Sequence, residues 1–164
     1  VRTVFNILGP LTNPAGASAQ VIGVFDPALC ETIAEVRSLL GSERAMVVHG
    51  AGMDEIANIS ETKIASREDG EVSTDTVETE DVGYARAKVA DIAGGTPEEN
   101  ASDIVSIFEG QEGPKRDIVV LNSGAAIYVS GMVSDLESGV RKAEEVIDSG
   151  AALAKLREFV EFAG

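Results

Sequence analysis

The stretch from residue 19 to residue 48 constrains the fold more than any other. Residues 19–25 (AQVIGVF) are short, apolar and β-branched, as a strand covered on both faces must be. Asp26-Pro27 follows, a helix start that pairs a side-chain acceptor with a proline in the first turn. The helix then places Leu29, Ile33, Val36 and Leu40 on one face, and Gly41 ends it. A second buried strand runs from Ala45 to Val48. Strand, helix, strand with short connections is a βαβ unit, so a parallel pair with a right-handed crossover is expected.

The rest of the chain changes pattern twice. Residues 1–8 are helix-compatible and stop at Gly9-Pro10; Leu11 to Ala19, with Asn13, Pro14, Gly16 and Ser18, is loop. Residues 61–66 and 71–78 alternate polar and apolar about Glu68-Asp69-Gly70, which predicts a β-hairpin with one face in water. Thr96 and Glu99 have capping-box spacing, and the helix they open runs to about Phe108 and breaks at Gly110–Gly113. Residues 116–130 carry little charge and form a buried central helix, with small side chains at Asn122-Ser123-Gly124-Ala125-Ala126 suited to close helix packing. Two amphipathic helices, divided near Ser149-Gly150, reach Phe162. The predicted class is α/β: part of a mostly parallel sheet with a β-hairpin excursion and a helical C-terminal half.

Composition removes several functions. The 164 residues suffice for one ordinary domain, and 44% are apolar, which excludes intrinsic disorder. Acidic residues number 28 against 13 basic ones, a net charge of −15 that excludes nucleic-acid binding by phosphate neutralisation. A single cysteine, Cys30, and a single histidine, His49, exclude a disulfide framework and the usual zinc sites. No apolar run is long enough to span a membrane, and a cytoplasmic location is expected. Only five of the basic residues are Lys. An acidic, Arg-leaning surface is expected of a protein adapted to high salt, the alternative being an ordinary acidic cytosolic protein.

Ligands of open parallel sheets sit beyond the carboxyl ends of the strands. The loop after Val48, His49-Gly50-Ala51-Gly52-Met53-Asp54-Glu55, has glycines that let backbone approach a ligand and ends in adjacent carboxylates. Magnesium takes one or two carboxylates, keeps several waters, and completes its octahedron with substrate phosphates. Asp54 and Glu55 meet that need, although a solvated acidic pair is the alternative in a chain that also holds Glu80-Asp81, Glu98-Glu99 and Glu144-Glu145. Gly94-Gly95-Thr96 has the look of a phosphate cradle, but Glu98 and Glu99 would repel an anion, which favours a capped helix start. Cys30 has no basic neighbour in sequence and is expected to be an inert buried thiol. His49 is open to two readings, general base or hydrogen-bonded structural residue.

The block Arg2-Thr3-Val4-Phe5-Asn6-Ile7-Leu8-Gly9-Pro10-Leu11-Thr12-Asn13-Pro14 closely resembles the signature of the anthranilate phosphoribosyltransferase family. The likeness continues in order through Gln20–Val24, Val47-Val48-His49-Gly50, Gly52-Met53-Asp54-Glu55, Gly94-Gly95 with Asn100-Ala101, and Leu121-Asn122 with Ala125-Ala126 and Gly131. It implies a phosphoribosyltransferase/nucleoside phosphorylase-like fold, part of a glycosyltransferase α/β domain. It also implies that Asp54 and Glu55 bind the Mg²⁺ ions that hold phosphoribosyl pyrophosphate, with Glu55 contacting both. Gly9 and Pro10 are implied to line the anthranilate site.

The reaction so implied displaces pyrophosphate from ribose C1 by the aromatic amine, in tryptophan biosynthesis. It requires no covalent nucleophile. In the family, a Gly-Thr-Gly-Gly-Asp phosphate loop, a Lys/His/Asn segment and an Arg for the anthranilate carboxylate precede the block that opens this chain, and none occurs here. The N-terminal helical domain that forms the family's homodimer is likewise not in this sequence. The chain is therefore expected to be the C-terminal part of an enzyme and inactive alone. Two rivals remain: a pyrimidine nucleoside phosphorylase, which the Gly-Pro-Leu-Thr-Asn-Pro block argues against, and a non-catalytic ligand-binding or interaction module on the same scaffold.

Overall fold

The computed structural model describes residues 9, 11, 12, 14, 16–68 and 70–164. The helix expected over residues 1–8 lies outside the described residues, as does Pro10. Strand β1 (Ala19–Gly23), helix α1 (Leu29–Leu39) and strand β2 (Arg44–Gly50) form the expected unit, with β1 parallel to β2 from the Ala19–Arg44 pair to the Gly23–Val48 pair. Strands β3 (Thr62–Glu68) and β4 (Glu71–Val77) are the hairpin, and they are continuous with the sheet, whose order is β1-β2-β3-β4. Both β2–β3 and β3–β4 are antiparallel, so among the described strands the parallel character is confined to β1–β2.

Side-chain alternation along β2 sorts the core into two layers. Met46 and Val48 face one side, where they pack with Ile56, Ile64, Val120, Leu121 and Ala125. Val47 faces the other, with Ile22, Val24, Cys30, Ile33, Ala34 and Ala65. A strand buried on both faces has no polar face to show, which is why its sequence is a continuous apolar run. The first layer is covered by α4 (Pro114–Val129) and α5 (Leu136–Asp148), the second by α1. Helices α2 (Val89–Ile92), α3 (Pro97–Phe108) and α6 (Ala151–Ala163) complete the chain.

Two details of α1 differ from expectation. The helix begins three residues later than Asp26, because the Asp26 carboxylate accepts a hydrogen bond from the Ala28 N–H at 2.9 Å and closes a turn of its own. Its buried face is Cys30, Ile33, Ala34 and Arg37, whereas Leu40 is exposed. Burial of Arg37 follows from its guanidinium, which reaches back to the Ala17 carbonyl at 3.3 Å. The start of α3 is as expected: Thr96 Oγ1 accepts from the Glu99 N–H at 3.2 Å, and Glu99 accepts from the Thr96 N–H at 2.7 Å.

The small residues of α4 do permit close packing. A Cβ on Gly124 would lie 2.7 Å from the backbone of Val140, and one on Gly139 would lie 2.3 Å from the Gly124 carbonyl oxygen. Gly124→Ala gains up to about 1 kcal/mol of helix propensity. It must also push apart two packed backbones, an overpacking cost of about 1–3 kcal/mol. The second effect wins, so the urea midpoint is expected to fall; an unchanged or raised midpoint contradicts the contact.

No Asp or Glu is fully buried among the described residues, so their charge lies at the surface. Even if every one of the 13 basic residues were paired, most of the 28 acids would remain, and their repulsion is relieved by salt. The unfolding midpoint is therefore expected to rise between low and molar KCl. A midpoint that stays level or falls contradicts the salt-adapted reading.

Candidate functional site

The carboxyl ends of β1 and β2 are tied together. The Val24 N–H donates to the Val48 carbonyl at 2.9 Å, and His49 Nδ1 lies 2.8 Å from the Val24 carbonyl oxygen. A carbonyl only accepts, so Nδ1 is the donor in this bond. This hydrogen bond engages Nδ1 and leaves Nε2 open, so it is compatible with both readings of His49.

Beyond β2 the chain reverses in a single turn. Gly50 and Met53 exchange backbone hydrogen bonds of 3.1 and 2.8 Å, with φ of +54° at Ala51 and +84° at Gly52. Positive φ at both central residues is the sign pattern of a type I′ turn and is costly for Ala51, which has a Cβ. The reversal lays Asp54 and Glu55 back across the strand ends. Two glycines make this possible. A Cβ on Gly23, the last residue of β1, would sit 1.6 Å from the Asp54 carbonyl oxygen, and one on Gly50 would sit 2.7 Å from that of Glu55. The loop therefore rests directly on strand backbone.

On its far side the loop enters the core. Ile56, Ala57 and Asn58 are buried, and much of their backbone is hydrogen-bonded. The Ile56 N–H donates to Asn122 Oδ1 at 2.9 Å, the Ala57 N–H to Thr62 Oγ1 at 3.0 Å, and the Ala87 N–H to the Asn58 carbonyl at 2.8 Å. Asp54 is exposed and Glu55 half-buried. Burial first, and then the neighbouring Asp54 charge, hold the Glu55 carboxyl above the usual carboxylate range. Neither carboxylate has an ion-pair or hydrogen-bond partner among the described residues.

That environment fits a hard cation. A partly desolvated carboxylate beside a second one is relieved by positive charge, and both offer oxygen only. Among the described residues no group of three or more His, Cys, Asp or Glu gathers there, so the protein offers a cation at most these two carboxylates.

An open cleft of about 660 Å³ runs along β1, lined by Gly9, Thr12, Pro14 and Gln20–Gly23. It has the size of a small-molecule site. Gly23 belongs both to this cleft and to the contact with Asp54, so the two candidate regions meet at one residue. Gly9 lines this cleft, while the Asp54-Glu55 pair touches it only through Gly23; Pro10 is not described. The Gly94-Gly95-Thr96 segment stands apart as a closed helix start, where Asn100 Oδ1 accepts from the Gly95 N–H at 2.8 Å. Cys30 is buried in the core, its thiol pushed up chiefly by desolvation.

Residues 1–153 match the model of the glycosyl transferase family, a/b domain. The chain belongs to this family. Within it the chain is 59% identical over 162 residues to the anthranilate phosphoribosyltransferase of Methanosarcina acetivorans, covering 99% of the chain and 44% of that protein. The anthranilate phosphoribosyltransferase of Thermus thermophilus superposes with a TM-score of 0.91 at 42% identity, over 99% of the chain and 48% of that structure. A Saccharomyces cerevisiae anthranilate phosphoribosyltransferase in complex with PRPP and Mg superposes at 0.83, with 29% identity, over 98% of the chain and 47% of that structure. The chain spans about half the length of the curated relatives it matches. This glycosyl transferase domain has no helix, among the described residues, long and apolar enough to cross a membrane.

Sequence reasoning finds the carboxylate pair but misses Gly23 and Asn122. Gly23 looks like any small residue in a buried strand, and Asn122 carries only the signal of helix packing. A glycine ending one strand, followed by a Gly-rich reversal after its parallel neighbour, is the signal that was present.

Proposed function

We propose that this chain is the metal-binding part of an anthranilate phosphoribosyltransferase, which transfers phosphoribose from phosphoribosyl pyrophosphate to the amine of anthranilate. One observation carries the reading. Gly23 joins a cleft of small-molecule size to a pair of unpartnered carboxylates that are held on strand ends. The likeness to enzymes of that name, one of them solved with PRPP and Mg, supports it.

Asp54 and Glu55 would hold Mg²⁺, and the Mg²⁺ when bound offsets negative charge growing on the leaving pyrophosphate. The chain's own part is positional. The strand ends fix the carboxylates, and Gly9, with Pro10, would line the wall along which the flat aromatic acid lies. Holding amine and C1 in line supplies most of the remaining rate, without a protein nucleophile. The residues that grip the phosphates and the anthranilate carboxylate would belong to the rest of the enzyme. The complete protein would act as a cytoplasmic homodimer, and its net charge of −15 argues against a nucleic-acid partner.

The test is a choice of substrates. The complete protein, given phosphoribosyl pyrophosphate, anthranilate and Mg²⁺, is expected to consume anthranilate and release pyrophosphate, and to leave a pyrimidine nucleoside with inorganic phosphate untouched. Phosphorolysis of the nucleoside instead would put the chain with the phosphorylases. Activity toward neither pair would leave the non-catalytic module.

A further inference from the structure

We propose that Asn122 is the positioning residue of the carboxylate pair, holding Glu55 in register through the peptide that follows it. The inference rests on the metal reading above. Asn122 lies on α4, in the helical layer beneath the sheet, 66 residues from Ile56 in sequence. Its Oδ1 accepts from the Ile56 N–H at 2.9 Å, and its Nδ2 donates to the Ile56 carbonyl at 2.9 Å. The second Nδ2 hydrogen goes to the Ile118 carbonyl, also at 2.9 Å, one helical turn back. Both amide hydrogens and the amide oxygen are therefore engaged, and only one orientation of the amide fits two carbonyls and one N–H.

The engagement has a specific mechanical result. The N–H and the C=O of a residue belong to the two peptide planes on either side of its Cα, so a side chain that bonds only one of them fixes only one plane. Asn122 holds both groups of Ile56, so the backbone leaving Glu55 has a fixed direction. From the opposite side, the Glu55 carbonyl is pressed against Gly50 and that of Asp54 against Gly23. The two metal-binding candidates are thus clamped between strand backbone and one helix side chain. Thr62 holds the next residue, Ala57, through its N–H at 3.0 Å, one peptide further from the carboxylates. Ile56 is buried, so water does not replace the Asn122 amide without a cavity to admit it.

A positioning role makes a prediction that a purely structural role does not. In the complete enzyme, Asn122→Leu preserves size and removes all three hydrogen bonds. It is expected to raise the Mg²⁺ dissociation constant, read by calorimetric titration, and with it the Mg²⁺ concentration for half-maximal turnover, by roughly 10–100-fold, the usual effect of removing a group that orients a metal ligand. The KM for anthranilate should change by less than about twofold. Asn122→Ala, which makes room for water beside Ile56, keeps the fold if the leucine variant does not, and it should shift the Mg²⁺ requirement the same way. Val129→Ala, also buried on α4 but away from the loop, lowers stability and should leave the Mg²⁺ requirement unchanged.

Asp54→Asn and Glu55→Gln, run alongside, separate the two levels of the claim. If they raise the Mg²⁺ requirement and both Asn122 variants leave it unaltered, the positioning role is overturned and the metal site stands. If Val129→Ala shifts it as far as Asn122→Ala, the effect is one of stability and the positioning role is again overturned. If neither carboxylate variant shifts it, the metal reading fails and this inference fails with it.

Discussion

Gly23→Ala in the complete enzyme is expected to cut turnover by roughly 100-fold or more while the helices stay folded, since an error of about 1 Å in placement can cost that much. The alanine Cβ would sit 1.6 Å from the Asp54 carbonyl oxygen and 2.3 Å from its carbon, and both atoms are backbone. No rotamer change relieves such an overlap. Strand β1 is held along β2 by five residue pairs and by the Val24–Val48 bond at its end, so the loop must yield. Its retreat carries Asp54 and Glu55 off the strand ends and narrows the cleft they adjoin. Gly52→Ala is the informative contrast. Nothing lies within 4 Å of its added Cβ, so the loop meets only the strain of a φ of +84°, about 1–2 kcal/mol. Circular dichroism and kcat on both variants check this; near-native turnover of Gly23→Ala contradicts the contact.

Removing either metal-binding candidate should be at least as damaging. Asp54→Asn and Glu55→Gln keep size and shape and delete one negative charge each. An amide is a poor ligand for a hard dication that takes only one or two carboxylates from the protein. Turnover at ordinary Mg²⁺ is expected to fall roughly 100-fold or more, equivalent to about 2.7 kcal/mol of transition-state stabilisation. The Glu55 variant should suffer more, because its carboxyl is the half-buried one and its geometry is fixed from both sides. Stability should not fall with activity. Glu55 is held above its usual range by burial and by Asp54, so its charge is unfavourable in the metal-free fold, and neutralising it relieves that burden.

The βαβ unit and the hairpin were legible because their signals are periodic and local. Met46, Val47 and Val48 had to be a strand covered on both sides, and Thr96 with Glu99 had to be a cap. The register of α1 was not. Local pattern favoured Leu29, Ile33, Val36 and Leu40, yet Arg37 is buried by a partner twenty residues upstream, the Ala17 carbonyl. The carboxylate pair was visible as two acids ending a Gly-rich reversal after a strand. What holds it was hidden, since Gly23 and Asn122 act on the loop only once the sheet and α4 are assembled. Residue type hints at Gly23, a glycine that ends a strand before a Gly-rich reversal, whereas nothing in the linear sequence marks the contact of Asn122.

Asp54 and Glu55 are proposed to carry the Mg²⁺ of a phosphoribosyl transfer. Initial rates of the complete enzyme against free Mg²⁺, at saturating phosphoribosyl pyrophosphate and anthranilate, test this assignment most directly. Asp54→Asn and Glu55→Gln are expected to move the half-saturating Mg²⁺ concentration upward by roughly tenfold or more and to lower the plateau. Superimposable Mg²⁺ curves for both variants and the unaltered enzyme would contradict it.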